Sequence, residues 1–585
     1  MDFENSNTSG PTTLKVYRGE GVALLAFDLD QSAATPDFVG FAVRFRPPGR
    51  GDWKVLGNRL HFDYSGDRKS RAFHPTTEAP FQKYRWNHVP REVTAGEYRY
   101  EATPMYMAAD GTLRAGRKVE TAISLAPQTH EGFLNVGFTR GFASSQAYAN
   151  ETRFKNGRKI LPPKGGGGAK TLDFDMSPFE EHYDWLGFEA RRLIYGLLDE
   201  VANDDDLRLD ALLYEAREGE IVRRLQGLGS RVRAIIDDHG ENGGKNSAET
   251  LAAKRLTASG AEVARMHFGR QQHNKVFIVK RRVRGGWKAE RVLTGSTNFS
   301  MRGLYIQANN VLVFDDDRVA GFYADVFDAY WKNDGTAAFK AGELAGQWHV
   351  LRDKPGSRYS FCVSPHADSA LSLDPVADAI VNAKSSVLYS MVFLNQLSGP
   401  VRDGLDELAQ RSIFSYGTAQ RVSGLSLEKP DGSRAVLPFA YIASNAPEPF
   451  RTEWHGESTG QSNMVHHKFV VTDFNGDEPK VFTGSSNLAA GGERTNGDNL
   501  ILIEDRRVAI SYAIEALRLF DHFHFRVALR EGRSGGAPTR RSAGGGGRDR
   551  LTLQKPPENP RERTWFAPYY IAGHVKESDR KLFAG

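Results

Sequence analysis

The sequence of 585 residues contains a single cysteine, Cys362. One thiol excludes internal disulfide bonds and is typical of a reducing compartment, so we expect a cytoplasmic protein. No run of about 18 uncharged apolar residues is present, which predicts that no segment spans a membrane. The first residues, MDFENSNTSG, show no basic stretch followed by an apolar one. They therefore predict no secretory signal, and export by a signal-free route stays open.

Metal-binding patterns are also missing from the sequence. It has no CxxC, no HExxH and no dense carboxylate cluster, so we expect neither a metal nor another cofactor. The net charge of +5 is too small to indicate a nucleic-acid-binding protein by itself. It permits an anionic substrate.

The order of apolar patterns along the chain predicts several domains. Residues 12 to about 127 read as short, aromatic-rich strands with period-two alternation, separated by turns, which predicts a β-sandwich of immunoglobulin or fibronectin type over 1–160. The stretch LPPKGGGGAK opens a linker at 161–178. Helix and strand patterns then alternate over 179–350 and again over 351–528, which predicts two similar α/β halves. Residues 529–585 begin as a basic, Gly-rich linker and end in an aromatic tail able to dock onto the body.

One short pattern occurs in both α/β halves. QHNKVFIVKRRVRGGWKAERVLTGSTN stands at 272–298, and VHHKFVVTDFNGDEPKVFTGSSN at 465–487. Each has His-x-Lys, an apolar run and Gly-Ser-x-Asn, followed by a further strand and helix pattern. Residues two apart on a strand share a face, so each imidazole is expected beside an ammonium group.

The two copies together provide chemistry for a phosphate ester. Lysine and asparagine side chains can hold non-bridging oxygens through the transition state. One histidine can attack phosphorus while the other protonates the leaving oxygen, because the pKa of histidine lies near neutrality. The two serines can act as donors or simply shape their turns. The candidate residues are His273, Lys275, Ser296 and Asn298 in the first copy and His466, Lys468, Ser485 and Asn487 in the second.

Both copies resemble the HKD signature of the phospholipase D superfamily, over about residues 180–530. The resemblance implies two α/β halves related by a pseudo-twofold axis, a site between them, a covalent phosphohistidine intermediate and no metal. In the second copy Asp473 completes the signature. In the first copy Lys280 stands where that aspartate is expected.

A second departure distinguishes the two copies. The family often has an acidic residue before the Asn that opens the strand after Gly-Ser-x-Asn. Asp498 occupies this position in the second copy and Asn309 in the first. We expect Asp498 to lie beside His466 and keep it protonated as the general acid, which leaves His273 as the neutral nucleophile.

Three functions are compatible with this sequence. The first is phospholipase D-type hydrolysis or alcohol exchange on phospholipid headgroups, with peripheral membrane contact and a monomeric chain. The second is a DNA or RNA nuclease of the same superfamily, for which the basic segment 529–550 would follow a phosphate backbone. The third is a binding protein with impaired catalysis, suggested by Lys280 and Asn309.

Overall fold

The computed structural model describes residues 3–49, 51–63, 73–90, 93–126, 128–141, 160–162, 167–419, 436–438, 465–534, 552–559 and 561–585. Parts of the predicted N-terminal domain, linker and basic tail lie outside these residues. Among the described residues no helix is both long enough and apolar enough to cross a membrane.

The N-terminal region is built from antiparallel strands. In chain order they are β1 (Glu4–Ser9), β2 (Thr12–Arg18), β3 (Ala23–Leu29), β4 (Phe38–Arg46), β5 (Lys54–Val55), β6 (Gly57–Asn58), β7 (His74–Pro75), β8 (Arg85–His88), β9 (Gly96–Met107), β10 (Leu113–Ala115) and β11 (Val119–Leu125). One sheet has the order β1-β2-β3-β8, and a second has the order β10-β9-β4-β5 with β11 also paired to β9.

These two sheets share one apolar core. Buried side chains of the first sheet, such as Val16 and Leu25, belong to the same cluster as Val43, Tyr100 and Ile123 of the second. The alternation of buried and partly buried residues along β11 follows the period of two read from the sequence. The region is therefore all-β, and its assignment to the immunoglobulin or fibronectin class stays a prediction.

The first α/β region follows. Its elements are β12 (Leu134–Phe138), α1 (Gly167–Leu172), α2 (Glu180–Asn203), β13 (Leu207–Leu213), α3 (Gly219–Leu228), β14 (Val232–Asp237), α4 (Ala248–Ala258), β15 (Glu262–Met266), β16 (Lys275–Val283), β17 (Gly286–Gly295), α5 (Met301–Tyr305), β18 (Asn310–Phe314), α6 (Asp317–Lys332), α7 (Thr336–Ala341) and α8 (Glu343–Gly346). The sheet order is β12-β18-β17-β16-β13-β14-β15.

A second α/β region and a terminal helix complete the chain. Its elements are β19 (His349–Lys354), β20 (Ser357–Val363), α9 (Ala370–Val381), β21 (Ser386–Met391), α10 (Pro400–Leu408), β22 (Phe414–Ala419), β23 (Val436–Pro438), β24 (Lys468–Thr472), β25 (Lys480–Gly484), α11 (Ala490–Thr495), β26 (Asn499–Asp505), α12 (Arg506–Ser534) and α13 (Val575–Ala584). The sheet order is β19-β20-β26-β25-β24-β21-β22-β23.

Six strands of each α/β sheet have the same order and direction. The series β18-β17-β16-β13-β14-β15 corresponds to β26-β25-β24-β21-β22-β23. In both series neighbouring strands pair antiparallel from the first strand to the fourth. From the fourth strand to the sixth they pair parallel. One apolar cluster contains β18, β26, α6 and α12 residues, so the two regions share a core.

Two expectations about the domain boundaries are corrected by the strand and helix positions. Strand β12, placed by the sequence within the N-terminal range 1–160, pairs antiparallel with β18 and forms the edge of the first α/β sheet. The predicted linker 161–178 contains helix α1, in which Leu172 is buried and Gly168 lies against the backbone of Ala248. Contact with α4 therefore orders a segment whose composition is typical of a flexible linker.

Candidate active site

Each His-x-Lys segment is held by the opposite α/β region. The backbone N–H of His273 donates to the carbonyl of Gly497 at 2.7 Å, and that of His466 donates to the carbonyl of Ala308 at 3.1 Å. Both contacts continue as isolated parallel bridges, Gln272 with Gly497 and Ala308 with Val465. The two histidines therefore lie at the junction of the two sheets and not on opposite sides of the molecule.

The lysine of each motif turns back toward its histidine. Lys275 opens β16, and its Nζ donates to the carbonyl of His273. Lys468 opens β24, and its Nζ lies 3.0 Å from the carbonyl of His466 and 3.3 Å from that ring's Nε2. All four side chains are buried. In each motif the histidine precedes the strand that its lysine opens, so the lysine's turn back toward the histidine, and not strand alternation, brings the two together.

The two Gly-Ser-x-Asn turns have the same backbone geometry. Gly295 and Gly484 have φ of 137° and 140°. A Cβ on Gly295 would lie 2.5 Å from the carbonyl oxygen of Asn310, and one on Gly484 would lie 2.4 Å from that of Asn499. Because of this close approach, the N–H of Ser296 donates to the Asn310 carbonyl at 3.1 Å. The N–H of Ser485 donates to the Asn499 carbonyl at the same distance.

The partners of the histidines are exchanged between the halves, and this corrects the sequence prediction. Nδ1 of His273 contacts Oδ1 of Asp498 at 2.7 Å. Nδ1 of His466 contacts Oδ1 of Asn309 at 2.8 Å. Asp498 was expected beside His466. Asn309 and Asp498 each lie directly before the strand that follows their turn, and each reaches the histidine of the opposite half.

The two serines hold these partners in place. Ser485 Oγ donates to Asp498 Oδ1 at 2.7 Å, and Ser296 Oγ donates to Asn309 Oδ1 at 2.9 Å. The Asn309 amide also donates to the carbonyl of Gly303 at 2.9 Å, which orients its Oδ1 toward His466. Both histidines consequently carry their proton on Nδ1, and Nε2 is the nitrogen left for chemistry.

The asparagines of the two turns are available to a ligand. Oδ1 of Asn298 and Oδ1 of Asn487 are buried and have no hydrogen-bond partner within the described part of the chain. A buried polar atom without a partner costs stability, so such atoms are typical of a site that a ligand completes.

Two residues of the predicted signature lie away from the site. Asp473 follows β24 and accepts hydrogen bonds from the backbone N–H groups of Lys384, Ser385 and Ser386, so it holds the start of β21. Lys280 is in mid-strand and forms a buried ion pair with Asp210 at 2.6 Å. Strand β16 continues past the point that corresponds to the end of β24, so the position of Asp473 corresponds to mid-strand Lys280 in the first half. The lysine at this position leaves His273 and Lys275 of the first motif in place.

Sequence reasoning missed Tyr214, which follows β13. The ring of Tyr214 packs edge-on against His273 with centroids 4.5 Å apart, and Lys275 Nζ lies 4.6 Å from the centroid of the same ring. A signal was available in the pattern LRLDALLYE, because polar side chains at the carboxyl end of a buried strand frequently line a site.

Burial and positive charge keep both imidazoles neutral. Burial, followed by the charge of Lys275, lowers the pKa of His273 to about 4, against the opposing effect of Asp498. Burial and then the charges of Lys468 and Lys275 lower the pKa of His466 well below its usual value. At neutral pH the unliganded site therefore contains two neutral rings.

The lysines are also shifted toward their neutral forms. Burial lowers the pKa of Lys275 to about 7, and burial followed by the charge of Lys275 lowers the pKa of Lys468 well below its usual value. Burial raises the pKa of Asp498, but the His273 ring and the hydrogen bonds to Asp498 outweigh it and hold that pKa below its usual value. A bound phosphodiester anion would stabilise the positive form of every basic group here.

A cavity of about 940 Å³ lies elsewhere, between the N-terminal strands and helix α2. Its lining includes Trp185, Phe188 and Arg140, and none of the His-x-Lys or Gly-Ser-x-Asn residues. Among the described residues, no group of three or more His, Cys, Asp or Glu side chains is arranged to hold a metal ion.

Comparison with known proteins identifies the first of the two regions. The family model described as "Cardiolipin synthase, PLD-like domain" matches residues 216–331. The matched segment contains His273, Lys275, Ser296, Asn298 and Asn309. A search of curated proteins found none that match this chain.

Several solved structures resemble the fold weakly. Polyphosphate kinase from Porphyromonas gingivalis is 12% identical with a TM-score of 0.36, over 55% of this chain and 46% of the kinase, so the chain spans about half of the kinase's length. Phosphatidylserine synthase of Haemophilus influenzae is 12% identical with a TM-score of 0.39, over 57% of this chain and 85% of the synthase. Nuc from Salmonella typhimurium, a phospholipase D family member, is 23% identical with a TM-score of 0.20, over 24% of this chain and 87% of Nuc.

These three TM-scores lie below 0.5, so the solved structures decide neither substrate nor activity. The family match at 216–331 includes one copy of the repeated pattern, and the second copy meets it at the junction of the two sheets. Residues 216–331 are thus similar to a PLD-like domain, and the second copy of the pattern lies outside the matched segment.

Proposed function

We propose that this protein is a metal-independent phosphodiesterase that works through a phosphohistidine intermediate. Its proposed substrates are phospholipid headgroups, by hydrolysis or by alcohol exchange. The observation that supports this most is the exchanged pairing of His273 with Asp498 and His466 with Asn309, which joins two neutral imidazoles and two lysines in one buried space.

His273 is the proposed nucleophile. The Asp498 carboxylate accepts its Nδ1 proton and stabilises the positive ring that forms when Nε2 bonds to phosphorus. The pKa of about 4 keeps Nε2 unprotonated at neutral pH. The sequence also predicted His273 as the nucleophile, but it did so by assuming that Asp498 lies beside His466. The contact that supports His273 is instead its own hydrogen bond to Asp498.

His466 is the proposed general acid and base. Its Nδ1 faces a neutral amide, so the ring gains a proton on Nε2 only when a phosphodiester anion enters. In the first step Nε2 of His273 forms the N–P bond, the P–O bond of the leaving alcohol breaks, and Nε2 of His466 gives that oxygen its proton. In the second step His466 takes a proton from water or an alcohol, whose oxygen attacks phosphorus and releases His273.

The remaining polar groups hold the phosphoryl oxygens. Lys275 and Lys468 supply positive charge in a buried space, and the Nδ2 groups of Asn298 and Asn487 are the proposed neutral donors to the phosphoryl oxygens. We further propose that 179–350 and 351–528 are the two halves of a duplicated domain with a pseudo-twofold axis, since six strands in each share one order. The immunoglobulin- or fibronectin-like β-sandwich class of the strands before β12 belongs to the same proposal.

The test is to trap the intermediate in the presence of EDTA. The chain is mixed with phosphatidylcholine micelles labelled in the phosphate, quenched in alkali and digested, and the labelled peptide is sequenced. We expect label on His273 in the wild type, accumulation of label in His466→Ala, and none in His273→Ala. Label on His466 would reverse the two roles.

The same samples are assayed on plasmid DNA and on RNA. Turnover of nucleic acid with none of phospholipid would assign the nuclease activity in place of the lipase. Absence of turnover and of label on every substrate would reject the enzyme and favour the binding protein.

A further inference from the structure

Two hydroxyl residues occupy matching places in the two α/β sheets. Thr139 directly follows β12, and Ser364 directly follows β20. Each of these strands pairs antiparallel with the strand that comes after a Gly-Ser-x-Asn turn, β12 with β18 and β20 with β26. Both side chains are buried. Thr139 and Ser364 are therefore structural counterparts in the two halves.

Thr139 holds a three-residue segment directly before β18. Its N–H donates to the carbonyl of Asn309 at 3.0 Å, and its Oγ1 donates to the carbonyl of Gln307 at 2.6 Å. The same Oγ1 accepts the N–H of Asn309 at 2.9 Å. This segment contacts His466 twice, through the carbonyl of Ala308 and through Oδ1 of Asn309. A shift of the segment therefore moves both of these partners of His466.

Ser364 holds the corresponding segment before β26. Its N–H donates to the carbonyl of Asp498 at 3.0 Å, and its Oγ donates to the carbonyl of Asn496 at 2.9 Å. The same Oγ accepts the N–H of Asp498 at 3.0 Å. This segment contacts His273 through the carbonyl of Gly497 and through Oδ1 of Asp498. The same three hydrogen bonds thus occur in both halves, each time on the segment that reaches the opposite histidine.

The two hydroxyl residues are themselves held by helices of the opposite α/β region. Arg518 of α12 donates to the carbonyl of Thr139 at 3.1 Å. The hydroxyl of Tyr330 in α6 donates to the carbonyl of Ser364 at 2.9 Å. A buried hydrogen-bond network that is satisfied rigidifies the groups in it. Thr139 and Ser364 therefore fix the distance between each histidine and its partner.

We propose that Thr139 and Ser364 are positioning residues, Thr139 for His466 and Ser364 for His273. Each acts through the residue whose Oδ1 contacts Nδ1 of its histidine. This inference rests on the proposed function and names residues that place its two imidazoles. Loss of the Thr139 hydroxyl displaces the partner of the general acid, whereas loss of the Ser364 hydroxyl displaces the partner of the nucleophile.

The two losses differ in how they depend on the leaving group. An alcohol such as choline needs a proton from the general acid as it leaves, whereas p-nitrophenol leaves as a stable anion without one. The nucleophile is needed for both leaving groups, because it forms the bond to phosphorus in either case. The loss at Thr139 should therefore depend on the leaving group, and the loss at Ser364 should not.

The experiment compares kcat/KM on phosphatidylcholine and on phosphatidyl-p-nitrophenol in the same detergent micelles. Both substrates give the same phosphatidyl-enzyme, so they differ only in the group released in the first step. The ratio of the two values in one protein is independent of the fraction of molecules that are folded. A variant that folds poorly therefore still gives a result.

The variants are Thr139→Val, Thr139→Ser, Ser364→Ala and the matched control Thr76→Val. Thr76 follows β7 and is buried. Its Oγ1 donates to the carbonyl of Val43 at 3.1 Å and accepts the N–H of the same residue at 2.9 Å. The control therefore removes a buried hydroxyl with the same kinds of hydrogen bond, from the N-terminal strands.

We expect Thr139→Val to lower kcat/KM on phosphatidylcholine by about 10²-fold, the order of the loss when a catalytic group is displaced by about 1 Å. On phosphatidyl-p-nitrophenol the same variant should lose less than about threefold, because that group leaves without a proton. Thr139→Ser keeps the hydroxyl and should restore both values. Ser364→Ala should lower both values by the same factor, and Thr76→Val should leave their ratio unchanged.

A ratio of the two values that is the same in Thr139→Val and in the wild type would overturn the role of Thr139. So would a Thr139→Ser protein as impaired as Thr139→Val. A Ser364→Ala protein with undiminished cleavage of phosphatidyl-p-nitrophenol would overturn the role of Ser364. In each of these cases cleavage of the lipids by the wild type shows that the proposed function stands. If the wild type cleaves neither lipid, the proposed function fails and this inference fails with it.

Discussion

At the residue scale, one carboxylate distinguishes two otherwise matching imidazoles. His273 has a charged partner and His466 a neutral one, although Ser485 and Ser296 hold those partners in the same manner. A carboxylate on Nδ1 stabilises a ring that becomes positive, whereas an amide orients the ring without that bias. The difference between Asp498 and Asn309 therefore divides the chemistry between the histidines.

The variant Asp498→Asn tests this division. The amide keeps the shape of the side chain, loses its charge and is able to present N–H to His273, which favours the wrong tautomer. We expect kcat to fall by about 10² to 10⁴, as for a triad that loses its carboxylate. The control is Asn309→Asp, which places a carboxylate on His466 and should affect kcat far less. Equal losses in the two variants would contradict the division.

The pH dependence of kcat/KM tests the charge state of the free site. The pKa of about 4 for His273 means that the nucleophile is neutral above this pH, so activity should rise through pH 4. The pKa of about 7 for Lys275 means that its charge is lost above this pH, so activity should fall there. The rise and the fall in the pH profile of kcat should both lie at higher pH than those of kcat/KM, because a bound anion stabilises the protonated groups. A kcat/KM that keeps rising to pH 9 would show that the lysine charge is not needed.

At the element scale, two glycine-led turns carry the site. Gly295 and Gly484 let the turn approach the strand that begins with the polar partner of the opposite histidine. The strand directions then determine which half each partner reaches. A side chain at either glycine would separate the turn from that strand and move Asn309 or Asp498 away from its ring.

The substitution Gly484→Ala measures the importance of this approach. Its Cβ would lie 2.4 Å from the Asn499 carbonyl oxygen at a φ of 140°. We expect unfolding to become easier by about 1–3 kcal/mol and activity to fall with it. The control Gly491→Ala is in helix α11 with no atom within 4 Å of the new Cβ, and it should be neutral or slightly stabilising. Thermal unfolding of both variants gives the comparison, and equal midpoints would contradict the account.

At the scale of the whole molecule, the C-terminal segment joins the N-terminal strands to the second α/β region. Tyr17 of β2 donates its hydroxyl to the carbonyl of Phe583 at 2.8 Å. The Phe583 ring stacks on Phe474 with centroids 5.2 Å apart and meets Phe414 edge-on at 5.4 Å. Arg85 of β8 binds Asp579 of α13 at 2.8 Å. The docking of the aromatic tail expected from the sequence is therefore present.

The contribution of this tail is measured with Phe583→Ala. The side chain is 1% exposed, and removing a buried phenylalanine costs about 3–5 kcal/mol. We expect a lower unfolding midpoint, and separate melting of the N-terminal strands if the tail is their main link. Ile571→Ala is the control, because Ile571 is 44% exposed and should change stability little. A midpoint unchanged in Phe583→Ala would show that the segment adds no stability.

The sequence predicted those features that depend on neighbours along the chain. The period of two in the N-terminal strands, the alternation of strand and helix after residue 179, and the closeness of histidine and lysine in each His-x-Lys follow from local pattern. Two copies of one pattern also predicted a shared site, because a single phosphate needs both a nucleophile and an acid. Asp473 and Lys280 show the limit of prediction from local pattern. Their roles depend on the lengths of the strands around them.

Tertiary structure decided which residues meet across the halves. Asp498 lies 225 residues from His273, and Asn309 lies 157 residues from His466. Such pairings depend on sheet order, turn geometry and the packing of two regions against one core, none of which is encoded in a local spacing. The position of Tyr214 and the pairing of β12 with β18 have the same origin. The sequence by itself therefore determined the chemical groups of the site, and the fold decided their partners, because hydrogen-bond partners are selected by distance in space.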